Sequence, residues 1–302
     1  MSKNAPFKNI AVIGAGTMGS GIAGQIANSE QEVLLLDIPG KTPNSITEDA
    51  VKKLIRSDPP ALMHKNKANL IKVGNIRDDF NKLANCDLII EAVVERLDIK
   101  KDLYNRINNI VNSKCVITSN TSTIPIKLLV EDMPQSFRER FAITHYFNPV
   151  RFMRLLELVR GEHTKSEIIK KLADYNDRIL GKGVVACNDT PGFLGNRVGV
   201  YALQVGMDEA YKLNLTVEEA DSLMGRPMGI PKTGIFGLYD LIGIDLMSDV
   251  LKSFKKELPK EDLFHEVAKE NPFIKNLIDS GYTGRKGKGG FYRINKNSGE
   301  KI

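Results

Sequence analysis

The residue types best suited to chemistry in this chain stand where apolar runs end. His145 closes the run Ala142–His145 and is followed by Tyr146-Phe147-Asn148-Pro149. An imidazole moves protons well near neutral pH, and better when a carboxylate orients its ring and stabilises the imidazolium. Glu157, twelve residues on in the next apolar run, is the natural candidate for that carboxylate. Two other runs also finish in polar clusters, Glu91-Ala92-Val93-Val94-Glu95 and Ser119-Asn120-Thr121-Ser122. In an open parallel sheet ligands sit at the carboxyl ends of strands, so these clusters would converge on one crevice. Each residue also has a plain structural reading. Ser122 could cap a helix, Asn120 could close a turn, Glu157 could be a surface acid and His145 a satisfied core histidine.

A second constellation lies near the start. Asn9–Ile13 runs into Gly14-Ala15-Gly16-Thr17-Met18-Gly19 and on into a helical pattern. This GxGxxG spacing between a strand and a helix suits a dinucleotide: Gly14 for the tight turn, Gly16 for close approach of the pyrophosphate, Gly19 for helix–strand packing. Thr17 and Met18 sit at the helix N-terminus, whose amides and partial positive charge favour a phosphate. The second apolar run ends in Leu36-Asp37, where a carboxylate would accept hydrogen bonds from a ribose. That acid would repel a 2′-phosphate, and neither Ile38 nor Pro39 supplies a replacement cation, so NAD is expected over NADP.

The elements needed to hold these residues follow from periodicity. The first half alternates short β-branched runs with longer amphipathic ones, which predicts an α/β, Rossmann-like, mostly parallel sheet flanked by helices. Strands are expected at Asn9–Ile13, Val33–Asp37, Leu88–Ala92, Val116–Ser119, Ala142–His145, Leu155–Val159 and Val184–Ala186. Helices are expected at Met18–Ser29, Lys100–Asn112, Ile126–Asp132 and Ser166–Leu180, with a helical insertion over about 40–77. Near Thr190-Pro191-Gly192 the strand-like runs give out, and helical stretches follow at Leu194–Tyr211, Thr216–Leu223, Ile235–Glu257 and Asn271–Ser280. The expected division is therefore 1–189 for a dinucleotide-binding domain and 190–302 for a smaller all-helical domain for substrate and dimerisation.

At 302 residues, 42% hydrophobic and 26% charged, the composition is that of a globular protein with room for two cores. The longest apolar runs are far too short to span a bilayer, and Met1–Lys8 lacks a secretory leader's apolar stretch, so a cytoplasmic protein without membrane contact is expected. Cys86, Cys115 and Cys187 have no CxxC spacing and are expected to be reduced core thiols; four scattered histidines give no metal motif. The net charge of +6 favours anionic partners. Lys52, Lys53, Arg56, Lys65, Lys67 and Lys72 lie in a stretch whose single acid is Asp58, which suits a phosphate-rich ligand. Nucleic acid is not expected, because no aromatics are interleaved for bases to stack on.

Taken together the chain resembles the 3-hydroxyacyl-CoA dehydrogenase family. The resemblance rests on Val12–Ala23, Glu91–Lys100, Ser119–Ser122, His145–Val150, Leu156–Val159, Asp189–Phe193 and Asn196-Arg197, in family order over almost the whole chain. It implies NAD-dependent oxidation of a 3-hydroxyacyl-CoA in fatty-acid β-oxidation, with His145 as general base and Glu157 as its partner. Ser122 and Asn196 would hold the substrate oxygen and the cofactor side, and Glu95, Lys100, Asn148 and Lys286 would contact NAD. The basic insertion, with Lys52 and Lys53, would be the helical hairpin that packs against CoA, here broken at Pro59-Pro60. Gly225–Lys232 and the closing Gly284–Tyr292 look more like the dehydrogenase portion of long proteins that also carry an enoyl-CoA hydratase region. Ending at Lys301-Ile302 would then mark a piece of such a chain, or a gene without the partner region. A homodimer is expected. Two alternatives differ in kind: a β-hydroxyacid or 6-phosphogluconate dehydrogenase, disfavoured by the Ser/His/Glu set, and a non-catalytic crystallin-like relative that keeps the fold.

Overall fold

The computed structural model describes residues 5–230, 232–269 and 271–293. Pro231 of the Gly225–Lys232 run and the closing Lys301-Ile302 lie outside the described residues. The chain forms two compact units, Met1–Phe193 and Leu194–Ile302.

The first unit is built on an eight-stranded sheet: β1 (Ile10–Ile13), β2 (Val33–Asp37), β3 (Ile71–Asn75), β4 (Leu88–Glu91), β5 (Val116–Ser119), β6 (Phe141–Tyr146), β7 (Leu155–Arg160) and β8 (Gly183–Cys187). Their spatial order is β3-β2-β1-β4-β5-β6-β7-β8. Strands β1 to β6 are parallel to their neighbours, β7 runs antiparallel to β6, and β8 is parallel to β7. The order reverses between β1 and β4, which places a crevice at their carboxyl ends.

Among the described residues six α-helices flank the sheet: α1 (Thr17–Asn28), α2 (Ser45–Arg56), α3 (Leu97–Asn108), α4 (Ile126–Val130), α5 (Gln135–Arg138) and α6 (Ser166–Asp174), the last continued by a π-helical turn at Tyr175–Ile179. Successive strand residues point to opposite faces, so each central strand feeds two cores. Ile10 and Val12 join Ile22, Ile26, Leu54 and Leu172 on one side; Ala11 and Ile13 join Tyr104, Ile107, Leu129 and Phe137 on the other. Being buried on both faces is why β1 reads as an unbroken apolar run and β4 opens on one, Leu88-Ile89-Ile90.

The 40–77 segment corrects an expectation. It holds α2 and a 3-10 turn at Lys65–Leu70, but it ends in β3 rather than in helix. The alternating Ile71-Lys72-Val73 pattern is that of an edge strand, with β2 as its one neighbour and Lys72 exposed; among so many lysines it reads as amphipathic helix.

Apart from one isolated bridge, Gly284 to Gly289, the regular structure in the second unit's described residues is helical: α7 (Gly195–Lys212), α8 (Val217–Leu223), α9 (Phe236–Ile242), α10 (Ile244–Glu257), α11 (Phe264–Val267) and α12 (Pro272–Asp279). Its core gathers Met207, Ala220, Phe236, Tyr239, Met247, Phe254 and Phe264. The helix expected over Ile235–Glu257 is two, because Gly243 at φ +117° takes a conformation that only glycine adopts without strain. No helix among the described residues is long and apolar enough to cross a membrane.

Candidate active site

His145 and Glu157 face each other across the antiparallel pair β6–β7, in register. Residues directly opposite point to the same side of a sheet, so the twelve-residue spacing plus one return loop suffices to bring them together. Nδ1 of His145 lies 2.6 Å from Oε2 of Glu157. In the neutral ring, that contact makes Nδ1–H the donor and leaves Nε2 with its lone pair. Nε2 has no hydrogen-bond partner among the described residues. Glu157 is fully buried and His145 is 7% exposed, so the surface-acid reading of Glu157 fails. The rings of Phe147 and Phe193 pack at 4.5 Å and 6.0 Å from the imidazole, centroid to centroid, leaving it a restricted approach.

The ends of β4, β5 and β6 are stitched together next to this pair. The Asn120 amide donates to the Glu91 carbonyl (2.8 Å), and the Asn120 side-chain oxygen accepts from the Tyr146 amide (2.9 Å). Asn120 therefore joins strands rather than closing a turn. Thr121, not Ser122, accepts from the Ile124 amide at the start of the next turn (3.0 Å). Ser122 is half-buried and caps nothing; its hydroxyl has no hydrogen-bond partner among the described residues. Its amide donates to Oε1 of Glu95 (3.1 Å), which also accepts from Thr123 Oγ1 (3.1 Å) and from the Thr121 hydroxyl. Burial opposes the charge on Glu95, but the Lys100 ammonium and these hydrogen bonds outweigh it and hold the carboxyl below the usual carboxylate range.

Lys100 is itself buried between two acids, 2.7 Å from Glu91 and 3.2 Å from Glu95. Glu91 is a member of this group whose role the sequence alone did not suggest. A carboxylate ending the apolar run Leu88-Ile89-Ile90, with a lysine nine residues on, was the available signal.

The glycine loop has the shape a dinucleotide needs. A Cβ on Gly14, at φ +103°, would come within 2.4 Å of the Ala92 carbonyl, and one on Gly19 within 1.8 Å of the Gly14 carbonyl. On Gly16 a Cβ would meet no protein atom within 4 Å. That open space lies at the N-terminus of α1, which has no side-chain cap and no acid in its first turn. Thr17 and Gly16 are exposed there, Met18 half-buried and Gly19 buried. Asp37 ends β2 with Oδ2 accepting from the Ala15 amide (2.5 Å) and Oδ1 from the Ile38 amide (2.6 Å), which ties it to the loop. Unfilled helix-terminal amides, open space at Gly16 and a carboxylate at the next strand end fit a pyrophosphate and a ribose.

The remaining expected residues are more dispersed. Asn148 is exposed in the loop after β6. That loop is held from beneath by the buried Lys182, whose ammonium donates to the Val150 and Met153 carbonyls; burial pushes its pKa down to about 8. Lys52 and Lys53 are exposed on α2, but Lys52 is paired with Asp49 (3.0 Å), while Lys67 and Lys72 are answered by Glu30 and Glu32 from outside the stretch. The stretch is thus less cationic than its sequence suggests, with Lys53, Arg56 and Lys65 unpaired among the described residues. Asn196 lies half-buried in the first turn of α7, and Lys286 is exposed in the turn closed by the Gly284–Gly289 bridge. Cys86 and Cys115 are buried, whereas Cys187 is partly exposed with its sulfur 4.0 Å from Oε1 of Glu157. The described residues contain no cluster of His, Cys, Asp or Glu that could hold a metal ion.

Residues 9–190 match the family model described as the 3-hydroxyacyl-CoA dehydrogenase NAD binding domain, and residues 192–294 match that family's C-terminal domain. The chain is 44% identical over 299 residues to a Rickettsia felis protein that carries the provisional name fatty acid oxidation complex trifunctional enzyme. That alignment takes in 98% of this chain and 42% of the relative, so the chain spans well under half of that protein's length. It is 30% identical to the mitochondrial hydroxyacyl-coenzyme A dehydrogenase of Rattus norvegicus, over 96% of this chain and 92% of the other. Among solved structures, (S)-3-hydroxybutyryl-CoA dehydrogenase from Ralstonia eutropha superposes with a TM-score of 0.81 at 28% identity, covering 96% of this chain and 100% of that one.

Proposed function

The chain belongs to the 3-hydroxyacyl-CoA dehydrogenase family, whose members are NAD-dependent oxidoreductases, and from that premise we propose that it oxidises (S)-3-hydroxyacyl-CoA to 3-ketoacyl-CoA in fatty-acid β-oxidation. The observation that carries the reading is the 2.6 Å contact between His145 and the buried Glu157, which leaves Nε2 without a hydrogen-bond partner among the described residues, beside the strand-end crevice.

His145 Nε2 accepts the proton of the substrate's 3-hydroxyl. Glu157 holds the ring in the tautomer that makes this possible and stabilises the imidazolium that results. The Ser122 hydroxyl, without a hydrogen-bond partner among the described residues, donates to the substrate oxygen as its bond to carbon gains double-bond character. Phe147 and Phe193 limit water around the ring. Bound NAD supplies the two-electron acceptor; Gly14, Gly16, Thr17, Met18 and Gly19 hold its pyrophosphate and Asp37 its adenosine ribose. Glu95, Lys100 and Asn148 are the further candidates for its nicotinamide half. In the second unit Asn196 is assigned to substrate and Lys286 to NAD. The CoA phosphates are drawn by the basic side chains of α2, and the second unit carries a homodimer contact. The experiment is direct: NADH absorbance should rise when the protein meets NAD and (S)-3-hydroxybutyryl-CoA or a longer homologue. No NADH from any chain length sinks the proposal.

A further inference from the structure

The mechanism above uses Ser122 and Glu95 but leaves a buried acid unexplained. Glu91 is fully buried and receives four hydrogen bonds. Oε1 accepts from Lys100 Nζ (2.7 Å) and the Val93 amide (2.8 Å), and Oε2 from Tyr104 Oη (2.6 Å) and Ser119 Oγ (2.7 Å). A carboxylate with four donors around it is held in one orientation. Tyr104 remains a donor, because burial and then the Glu91 charge beside it raise its pKa well above the usual phenol value.

The arrangement has a direction. Two carboxylates share one ammonium, and Glu91 occupies the shorter side of it. Lys100 touches Glu95 on Oε2, at 3.2 Å, while Oε1 of Glu95 collects the Thr121 hydroxyl, the Ser122 amide and the Thr123 hydroxyl. Without a charge at Glu91 the ammonium has only Glu95 to satisfy it, and the carboxylate that anchors the 121–123 turn is drawn toward Lys100. We infer that Glu91 is a positioning residue for the reaction: through Lys100 it fixes Glu95 as the anchor that presents Ser122 to the substrate oxygen. The inference rests on the reading of Ser122 given above.

The test is a cycle of Glu91→Gln and Ser122→Ala, read as kcat for (S)-3-hydroxybutyryl-CoA oxidation at saturating NAD, so that changes in cofactor affinity do not enter. Glutamine is isosteric and is tolerated if its oxygen faces Lys100 while the hydroxyls of Ser119 and Tyr104 turn to accept from its amide. Misplacing a reacting contact should slow Glu91→Gln by about ten- to a hundredfold. In the Ser122→Ala background the same change should cost no more than about twofold, because the residue it positions is already gone. A purely structural defect would multiply instead. If Glu91→Gln turns over like the wild type, or keeps its full penalty in the Ser122→Ala background, the Glu91 inference falls while the Ser122 reading stands. If Ser122→Ala itself is as fast as the wild type, the Ser122 reading falls and this inference with it. Should Glu91→Gln not fold, Thr121→Val removes one of the three contacts by which Glu95 anchors the 121–123 turn, with Glu91, Lys100 and Glu95 left in place. It should show the same loss of effect in the Ser122→Ala background, and additivity would overturn the inference.

Discussion

At His145 one short contact decides what the ring can do. A histidine ending a strand is common enough, but one whose Nδ1 is taken by a fully buried carboxylate is held in a single tautomer with Nε2 available. General-base catalysis contributes roughly a hundred- to ten-thousandfold, so His145→Gln should lower kcat by about that factor while NADH still binds. Glu157→Gln keeps the hydrogen bond but not the charge, and should cost less. Turnover at the wild-type rate in His145→Gln, followed by NADH absorbance, would remove the residue from the mechanism. Lys182 offers a different test. Burial lowers its pKa in the folded protein to about 8, below the roughly 10.4 of an unfolded lysine. The unfolded chain therefore binds the proton more tightly, and this group's contribution to stability is present above the unfolded value and lost as pH falls through about 8. Relative to Lys182→Met, the wild type should gain melting temperature as pH is raised from about 7.5 to about 10; a constant difference would contradict the lowered pKa of this lysine.

Among the elements, the β1–α1 turn shows how identical residues carry different duties. Gly19 has no room for a methyl group, since its Cβ would fall 1.8 Å from the Gly14 carbonyl, so Gly19→Ala must open the helix–strand packing. Gly16 has no protein neighbour within 4 Å in that direction. Gly16→Ala should leave the melting temperature within about 2 °C of wild type yet weaken NADH binding by about tenfold or more, because the methyl occupies the space proposed for the pyrophosphate. Unchanged NADH affinity by fluorescence titration would count against that assignment. On α2 the pairing of Lys52 with Asp49 makes Lys53 the stronger candidate for CoA. Lys53→Glu should raise KM for the CoA thioester more than Lys52→Glu does, with little effect on the N-acetylcysteamine thioester; equal effects on both thioesters would assign the helix another role.

For the molecule as a whole, the second unit exposes Val198, Leu213, Leu223, Leu241, Leu246 and Phe273. So much apolar surface on one small helical unit favours association. Sedimentation equilibrium should report a dimer at micromolar concentrations, and a monomer throughout would refute the proposed homodimer. The Rickettsia relatives extend well beyond the matched segment, since the chain covers 42% of each.

The sequence by itself determined the alternation of strands and helices, the glycine turn with Asp37 beyond it, and the twelve-residue step from His145 to Glu157. Each of these is local, or depends on one periodicity and one neighbouring strand. What the tertiary structure decided is which groups spend their charge on each other. Lys100 stands in the sequence at the start of an expected helix with no partner indicated, yet it lies between Glu91 and Glu95; Lys67 and Lys72 read as part of a free basic patch, yet Glu30 and Glu32 answer them. Burying a charge is costly unless a partner meets it, and that partner comes from whichever strand or loop the fold places alongside. The same holds for β3, whose few alternating residues become a strand because β2 offers an open edge for its backbone amides and carbonyls.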